Sequence, residues 1–210
     1  MEEVFAFRKS QKVYLFFKRL LDILGSFFGI VLLGIPMIVL AIITKCTSKG
    51  PALYKQKRIG KGERLFTMYK FRSMRADAPA VPPSELSKEE QTGMITKWGR
   101  FLRRTSMDEL PQLFNIFLGQ MSFIGPRPQQ DKEHEGKCYE ARMAYDPNAF
   151  MARPGLCSLA IVKMHRDHDP EEKAKYDSEY IRKLSFKMDA YVFFCAIGIL
   201  LGLRPKDKGR

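Results

Sequence analysis

The chain has 210 residues, enough for one globular domain or one domain with an anchor. Charged residues make up 28% and apolar residues 45%, which excludes a disordered chain and a polytopic membrane protein. With 36 Lys+Arg against 23 Asp+Glu the formal charge is +13, so an anionic partner is expected: nucleic acid, an anionic membrane or a phosphate-bearing substrate.

Leu20 to Ile43 carries one charge, Asp22. As helix it would run roughly 36 Å, enough for a hydrocarbon core of about 30 Å. It is too long for a signal peptide, and no small-x-small cleavage site follows. Basic residues flank both ends, Arg8, Lys9, Lys12, Lys18 and Arg19 before and Lys45, Lys49, Lys55, Lys57 and Arg58 after. Both flanks therefore prefer the cytoplasmic side. Pro36 lacks a donor and clashes with the preceding turn. A re-entrant helix broken at Ile35–Pro36 is favoured over a simple span. The anchor and its flanks are set at 1–49, the catalytic part at 50–210.

Gly50-Pro51 ends the anchor. Leu53-Tyr54 and Leu65–Tyr69 read as short strands around the turn Gly60-Lys61-Gly62. Residues 44–75 hold ten Lys/Arg and one acid, Glu63; a solvated basic face and a headgroup-binding face are equal readings, the latter worth about 1 kcal/mol per cation. Asp77 to Gly93, with Pro79, Pro82 and Pro83, reads as a loop with a short helix from Ser84. Helices are predicted at Thr96–Arg104, Leu110–Leu118, Asp131–Tyr145 and Glu171–Leu184. Tyr191 to Leu203 is apolar but too short to span; it is either a buried helix or one lying on headgroups. The four cysteines have no C-x-x-C spacing, so neither a zinc knuckle nor a disulfide framework is indicated, and a reducing cytoplasm fits.

The densest chemistry lies in Arg103-Arg104-Thr105-Ser106-Met107-Asp108-Glu109-Leu110-Pro111-Gln112-Leu113. Ser106 and Glu109 match a capping box, the plain reading. The functional reading puts Asp108 in a first helical turn whose dipole keeps it ionised. Adjacent carboxylates suit Mg²⁺, Arg103 and Arg104 suit phosphate, and an ionised aspartate is a nucleophile toward phosphorus. In Met121-Ser122-Phe123-Ile124-Gly125-Pro126-Arg127-Pro128 two prolines hold Arg127 in a rigid loop, with a plain turn as the alternative. Arg153-Pro154-Gly155 repeats the pattern. Three preorganised arginines with a carboxylate pair point to a phosphate-handling site.

Tyr69-Lys70-Phe71-Arg72-Ser73-Met74, Asp108 to Leu113, Met121 to Pro128 and Arg153-Pro154-Gly155, in that order, resemble the bacterial sugar transferase family, the monotopic phosphoglycosyl transferases. The resemblance covers roughly residues 12–203. It implies an α+β, mostly helical fold with a re-entrant membrane helix broken at a proline, here Pro36, a few short strands and amphipathic interfacial helices. The implied reaction moves a sugar 1-phosphate from a nucleotide diphosphosugar, usually a UDP-sugar, to polyprenol phosphate, releasing UMP. By the resemblance, Asp108 would attack the donor's β-phosphate to give a covalent phosphosugar intermediate, and Glu109 would serve Mg²⁺ and the acceptor. Arg103 would contact phosphate, Arg127 the nucleotide side, and Lys70 and Arg72 the same pocket, with Arg153 as a further phosphate contact. The partners are donor, acceptor and membrane lipid, at the cytoplasmic face of a bacterial inner membrane.

Leu156-Cys157-Ser158-Leu159-Ala160-Ile161-Val162-Lys163-Met164-His165-Arg166 departs from the family's Thr-Gly-Trp-Ala-Gln and Asn-Gly-Arg, which touches donor-sugar preference. His165 and His168 have H-x-x-H spacing, but no further Cys or His ligand lies near. His165-Arg166-Asp167 mimics a kinase triplet, yet position 172 is Glu and no glycine-rich loop exists. A membrane-tethered basic binding or scaffold protein is the competing class. It leaves Asp108-Glu109 among arginines unexplained, and no nucleic-acid motif appears.

Overall fold

The computed structural model describes residues 6–75, 93–130, 132–164 and 169–203. The loop and short helix expected within Asp77–Gly93, nearly all of it, and the pair His165 and His168 lie outside them. Helix α1, Lys9–Thr47, comes first. A hairpin of β1 (Leu53–Ile59) and β2 (Leu65–Phe71) follows. Then come α2 (Lys97–Arg104), a 3₁₀ turn Met107–Glu109 and α3 (Gln112–Phe117). Strand β3 (Ser122–Ile124), α4 (Lys132–Tyr145), β4 (Gly155–Cys157), α5 (Leu159–Met164), α6 (Pro170–Arg182) and α7 (Phe186–Leu200) complete the chain. The fold is mostly helical α+β, with two small two-stranded sheets, β1-β2 antiparallel and β3-β4 parallel.

Helix α1 is amphipathic with its faces reversed. Residues turned to the body include Gln11, Lys18, Asp22, Ser26 and Thr44, all buried. Those turned outward include Phe16, Phe28, Leu32 and Ile35, the last 76% exposed. In water this would be a costly arrangement; in lipid the outward face needs only to be apolar and the polar groups must be satisfied inside. They are. Lys18 Nζ forms an ion pair with Asp189 of α7. The Tyr14 and Tyr180 hydroxyls donate to the same carboxylate at 2.6 and 2.7 Å. Asp22 Oδ1 accepts from the Phe123 amide (3.0 Å) and the Ser122 hydroxyl (3.1 Å), so β3 hangs from α1.

The break expected at Pro36 does not occur: α1 runs through it as one helix of 39 residues, about 58 Å. An interior proline costs about 3 kcal/mol. Beyond it, Met37 and Leu40 are buried against Phe71 and Leu102, and each such side chain returns about 1.5–3 kcal/mol. That packing outweighs the lost bond. Both ends of α1 still meet the body. Gln11 donates to the Arg182 and Leu184 carbonyls (3.3 and 3.4 Å), and Ser48 beyond the other end accepts from Arg72 (2.8 Å).

The main core joins β3, the segment around Ala149, and α5, α6 and α7 through Leu159, Val162, Tyr180, Ile181, Leu184 and Val192. Helix α7 is not the buried helix of one sequence reading. Asp189 and Val192 alone among its residues are buried, while Phe193, Phe194, Ile197 and Leu200 face outward. Its outward face is apolar like that of α1, as the interfacial reading requires. All four cysteines are free.

Candidate active site

Alternation along β2 builds one wall of a cleft. Phe66 and Met68 are buried on one face, and Lys70, two residues on, continues that face to the surface. Phe66 and Met68 pack with Leu113, Ile116 and Met121. Asn115, fully buried on α3, then fixes the register. Its Nδ2 donates to the Thr67 carbonyl (2.7 Å) and its Oδ1 accepts from the Tyr69 amide (3.1 Å). These bonds satisfy the free edge of β2 and bring Lys70 to Glu109, with Nζ 2.9 Å from Oε1.

The capping box is not formed. Ser106 has φ 56° and ψ 16°, the left-handed region, and makes no cap bond. A non-glycine residue there is held by its surroundings at a cost of order 1–3 kcal/mol. The strain swings Met107–Glu109 into a tight turn, and the Glu109 side chain goes to Lys70 instead.

Neither carboxylate behaves as a simple helix-start acid. Burial pushes Asp108 above the usual aspartate range, and the adjacent Glu109 charge adds to it; Lys70 and Arg103 only partly offset this. Asp108 thus lies in a three-residue 3₁₀ turn rather than the first turn of an α-helix, and burial there works against its ionised form. Burial also acts to raise Glu109, but Lys70, then Arg127 and Arg58, outweigh it and hold Glu109 below the usual range. Two neighbouring carboxylates thus have pKa values driven in opposite directions.

The second wall is the loop after β3. A Cβ on Gly125 would overlap the Arg153 carbonyl, and one on Gly155 would overlap Gly125. Only glycines allow this approach, which seats Pro126-Arg127-Pro128 beside Gly155 and Leu156. Arg58 of β1 donates to the Pro128 carbonyl (3.1 Å), and the Ile59 amide donates to the Gln129 carbonyl (2.8 Å). Arg58, Lys70, Glu109, Gln112, Arg127 and Leu156 line the resulting small cleft. Asp108 is in the same turn but is not among the lining residues.

The predicted site residues fall into two groups. Asp108, Glu109, Lys70, Arg103 and Arg127 come together through the contacts above, and Arg103 Nε is fixed by the Ser73 hydroxyl (2.8 Å). Arg72 and Arg153 bond elsewhere, each at a helix C-terminus, where a cation meets free carbonyls. Arg72 Nη2 donates to the Ser48 carbonyl past α1 (2.6 Å). Arg153 Nε donates to the Gly119 carbonyl past α3 (2.8 Å), beside Arg19, which takes the Ile116 and Phe117 carbonyls (2.7 and 2.8 Å). Sequence reading missed Asn115, Gln112 and Arg58 as site builders. The only sequence signal for Asn115 was its place one helical turn after Gln112.

No group of three or more Asp, Glu, His or Cys that could hold a metal occurs among the described residues. That excludes an all-protein metal cage there. The adjacent carboxylates of Asp108 and Glu109 are donors of the kind Mg²⁺ takes when substrate phosphates and water complete its shell.

The family model for bacterial sugar transferases matches residues 13–202. A galactosyl transferase of Streptococcus agalactiae serotype III is 34% identical over 198 residues, covering 90% of this chain and 43% of that protein. A UDP-glucose:undecaprenyl-phosphate glucose-1-phosphate transferase of Xanthomonas campestris is 36% identical over 172 residues, covering 79% and 35%. An exopolysaccharide production protein of Rhizobium leguminosarum is 35% identical over 198 residues, covering 91% and 97%. The chain thus spans under half the length of the first two and nearly all of the third.

Proposed function

Because the chain belongs to the bacterial sugar transferase family, we propose that it transfers a sugar 1-phosphate from a UDP-sugar to polyprenol phosphate and releases UMP. The observation that carries the reading is the Asp108–Glu109 pair set among Lys70, Arg103 and Arg127 at a cleft. Carboxylates of divergent pKa beside cations suit a reaction that joins two phosphate-bearing substrates.

In the reading, the ionised Asp108 oxygen attacks the donor's β-phosphorus. The bond from that phosphorus to the bridging oxygen breaks, and UMP leaves with the electron pair. An oxygen of polyprenol phosphate then attacks the same phosphorus, the aspartyl–phosphorus bond breaks, and the carboxylate is restored. Splitting the transfer lets the two anionic substrates be handled in turn. Arg103 and Arg127 bind phosphate oxygens, and Lys70 holds Glu109 ionised. Asp108 and Glu109 would hold Mg²⁺, which supplies charge neutralisation at the phosphate oxygens. Leu156 lines the cleft and begins the segment that departs from the family pattern, so it stands where donor preference would be set.

The reversed amphipathicity of α1 and the outward apolar face of α7 support seating at one face of a membrane, the cytoplasmic face of a bacterial inner membrane. Labelling of cysteines placed at positions 10 and 50 from each side should find both on the cytoplasmic side. Membrane fractions given polyprenol phosphate, Mg²⁺ and a panel of UDP-sugars should release UMP with at least one donor. Asp108→Asn should abolish release while membrane binding persists. Full activity in that variant refutes the nucleophile. UMP binding without turnover for any donor favours the tethered binding or scaffold class.

A further inference from the structure

Arg127 is held by more than its prolines. Its amide donates to Asp177 Oδ1 of α6 (3.2 Å) and its carbonyl accepts from Arg142 Nη2 of α4 (3.0 Å). Arg142 Nη2 and Asp177 Oδ2 in turn form an ion pair. Asp177 is fully buried and Arg142 is 2% exposed. The main chain of one loop residue is thus closed into a ring of three bonds by a buried ion pair from two separate helices. The Arg142 guanidinium also lies over the Phe150 ring, 4.9 Å from its centroid, which fixes the plane of the fork. Next to it, Asp146 accepts from Ser178 (2.5 Å) and Arg182 (3.2 Å), tying the end of α4 to α6.

Stability alone accounts poorly for this ion pair. A buried pair spends several kcal/mol of desolvation per ion, and well-packed apolar residues of similar volume often do as well or better. What an apolar pair cannot supply is a directed acceptor for the Arg127 amide and a directed donor for its carbonyl. The two peptide units that flank the Arg127 Cα are each addressed at once, so the loop cannot rotate about that residue without breaking a buried charge-assisted bond.

We infer that Arg142 and Asp177 are positioning residues that set the Arg127 guanidinium at the nucleotide side of the cleft through its main chain. They touch no substrate. The inference rests on the reading of Arg127 as a substrate contact, and displacement of such a group by about 1 Å can cost on the order of 100-fold.

The test is a double-mutant cycle on the full-length chain, with the Kd for UMP and kcat/KM for the active UDP-sugar as readouts. Arg127→Ala should weaken UMP binding at least about tenfold. Asp177→Asn leaves Arg142 without its carboxylate and should raise the UMP Kd and the donor KM severalfold, with the KM for polyprenol phosphate unchanged. In the Arg127→Ala background the same substitution should then have no further effect on UMP binding, because its route is removed. The pair Arg142→Met with Asp177→Leu removes the ring without stranding a charge. It should keep the thermal midpoint near wild type and still weaken UMP binding. Additive losses in the cycle, or wild-type UMP binding in a folded Arg142→Met/Asp177→Leu chain, overturn the inference. An Arg127→Ala chain that binds UMP normally, or a wild-type chain that does not bind it, overturns the underlying reading of Arg127 instead.

Discussion

The lipid-facing side and the cleft side of this molecule solve opposite solvent problems. On the α1 and α7 side apolar groups face out, and the charges are buried and partnered, Lys18 with Asp189 and Asp22 with the Phe123 amide and Ser122 hydroxyl. On the hairpin side Phe66, Met68, Leu113 and Met121 are packed inward, and Lys70, Glu109 and Arg127 are presented at a cleft. Charge ties helices together on the first side and gathers at an open cleft on the second. The position of a charged residue in sequence does not say which. Its partners do: Arg72 and Arg153 sit in motifs beside the site residues, yet hold helix ends.

Substitutions that remove one charge from each side should separate these roles. The largest effect is expected at the anchor. Asp189→Ala strands Lys18 and two tyrosine hydroxyls, and should cost about 3–5 kcal/mol by denaturant titration in detergent; Lys18→Met with Asp189→Leu should recover most of it. Retained stability in Asp189→Ala would break the distinction. Glu109→Gln should lower kcat about 100-fold, near 2.7 kcal/mol, with the thermal midpoint almost unmoved. Asn115→Ala, which frees the β2 edge, should cost about 1–3 kcal/mol and raise the donor KM as Lys70 loosens.

A pH profile sharpens the comparison further. In the proposed reaction Asp108 attacks as the ionised carboxylate, and burial raises its pKa. The acid limb of kcat/KM should therefore lie above the usual aspartate value, with activity lost as pH falls through it. Lys70→Met removes a neighbouring cation and should move that limb to higher pH; a shift downward contradicts the electrostatics. The smallest change is expected from Phe28→Ser on the outer face of α1, below about 0.5 kcal/mol in fold stability but with measurably more protein released from membranes by mild detergent.

Much of this was legible in the sequence because it is local. The predicted helices at Thr96–Arg104 and Asp131–Tyr145 agree with α2 and α4 to within a residue, since periodicity and caps operate over a few positions. The hairpin around Gly60 was visible in its turn chemistry, although the Lys55–Arg58 half of β1 was hidden by its charge. The acidic pair was visible as a pair. What was not legible is long-range. Pro36 reads as a breaker until Phe71 and Leu102 are known to pack beyond it. Ser106 and Glu109 read as a capping box until Lys70, 39 residues away, claims the glutamate. Asp177 and Arg142 carry no motif at all.

The bonds between α1 and α7 also impose an order on assembly. Lys18 and Tyr14 leave the ribosome 171 and 175 residues before the aspartate that satisfies them. At ordinary synthesis rates that is roughly 10–30 s. During it the anchor helix carries two unmatched charges, Lys18 and Asp22, into a lipid-facing environment. They stand four residues apart on one helix face and can neutralise each other in the interval. In the folded chain Lys18 turns to Asp189 and Asp22 accepts from β3, so the two charges of the anchor gain their lasting partners from the body that follows it.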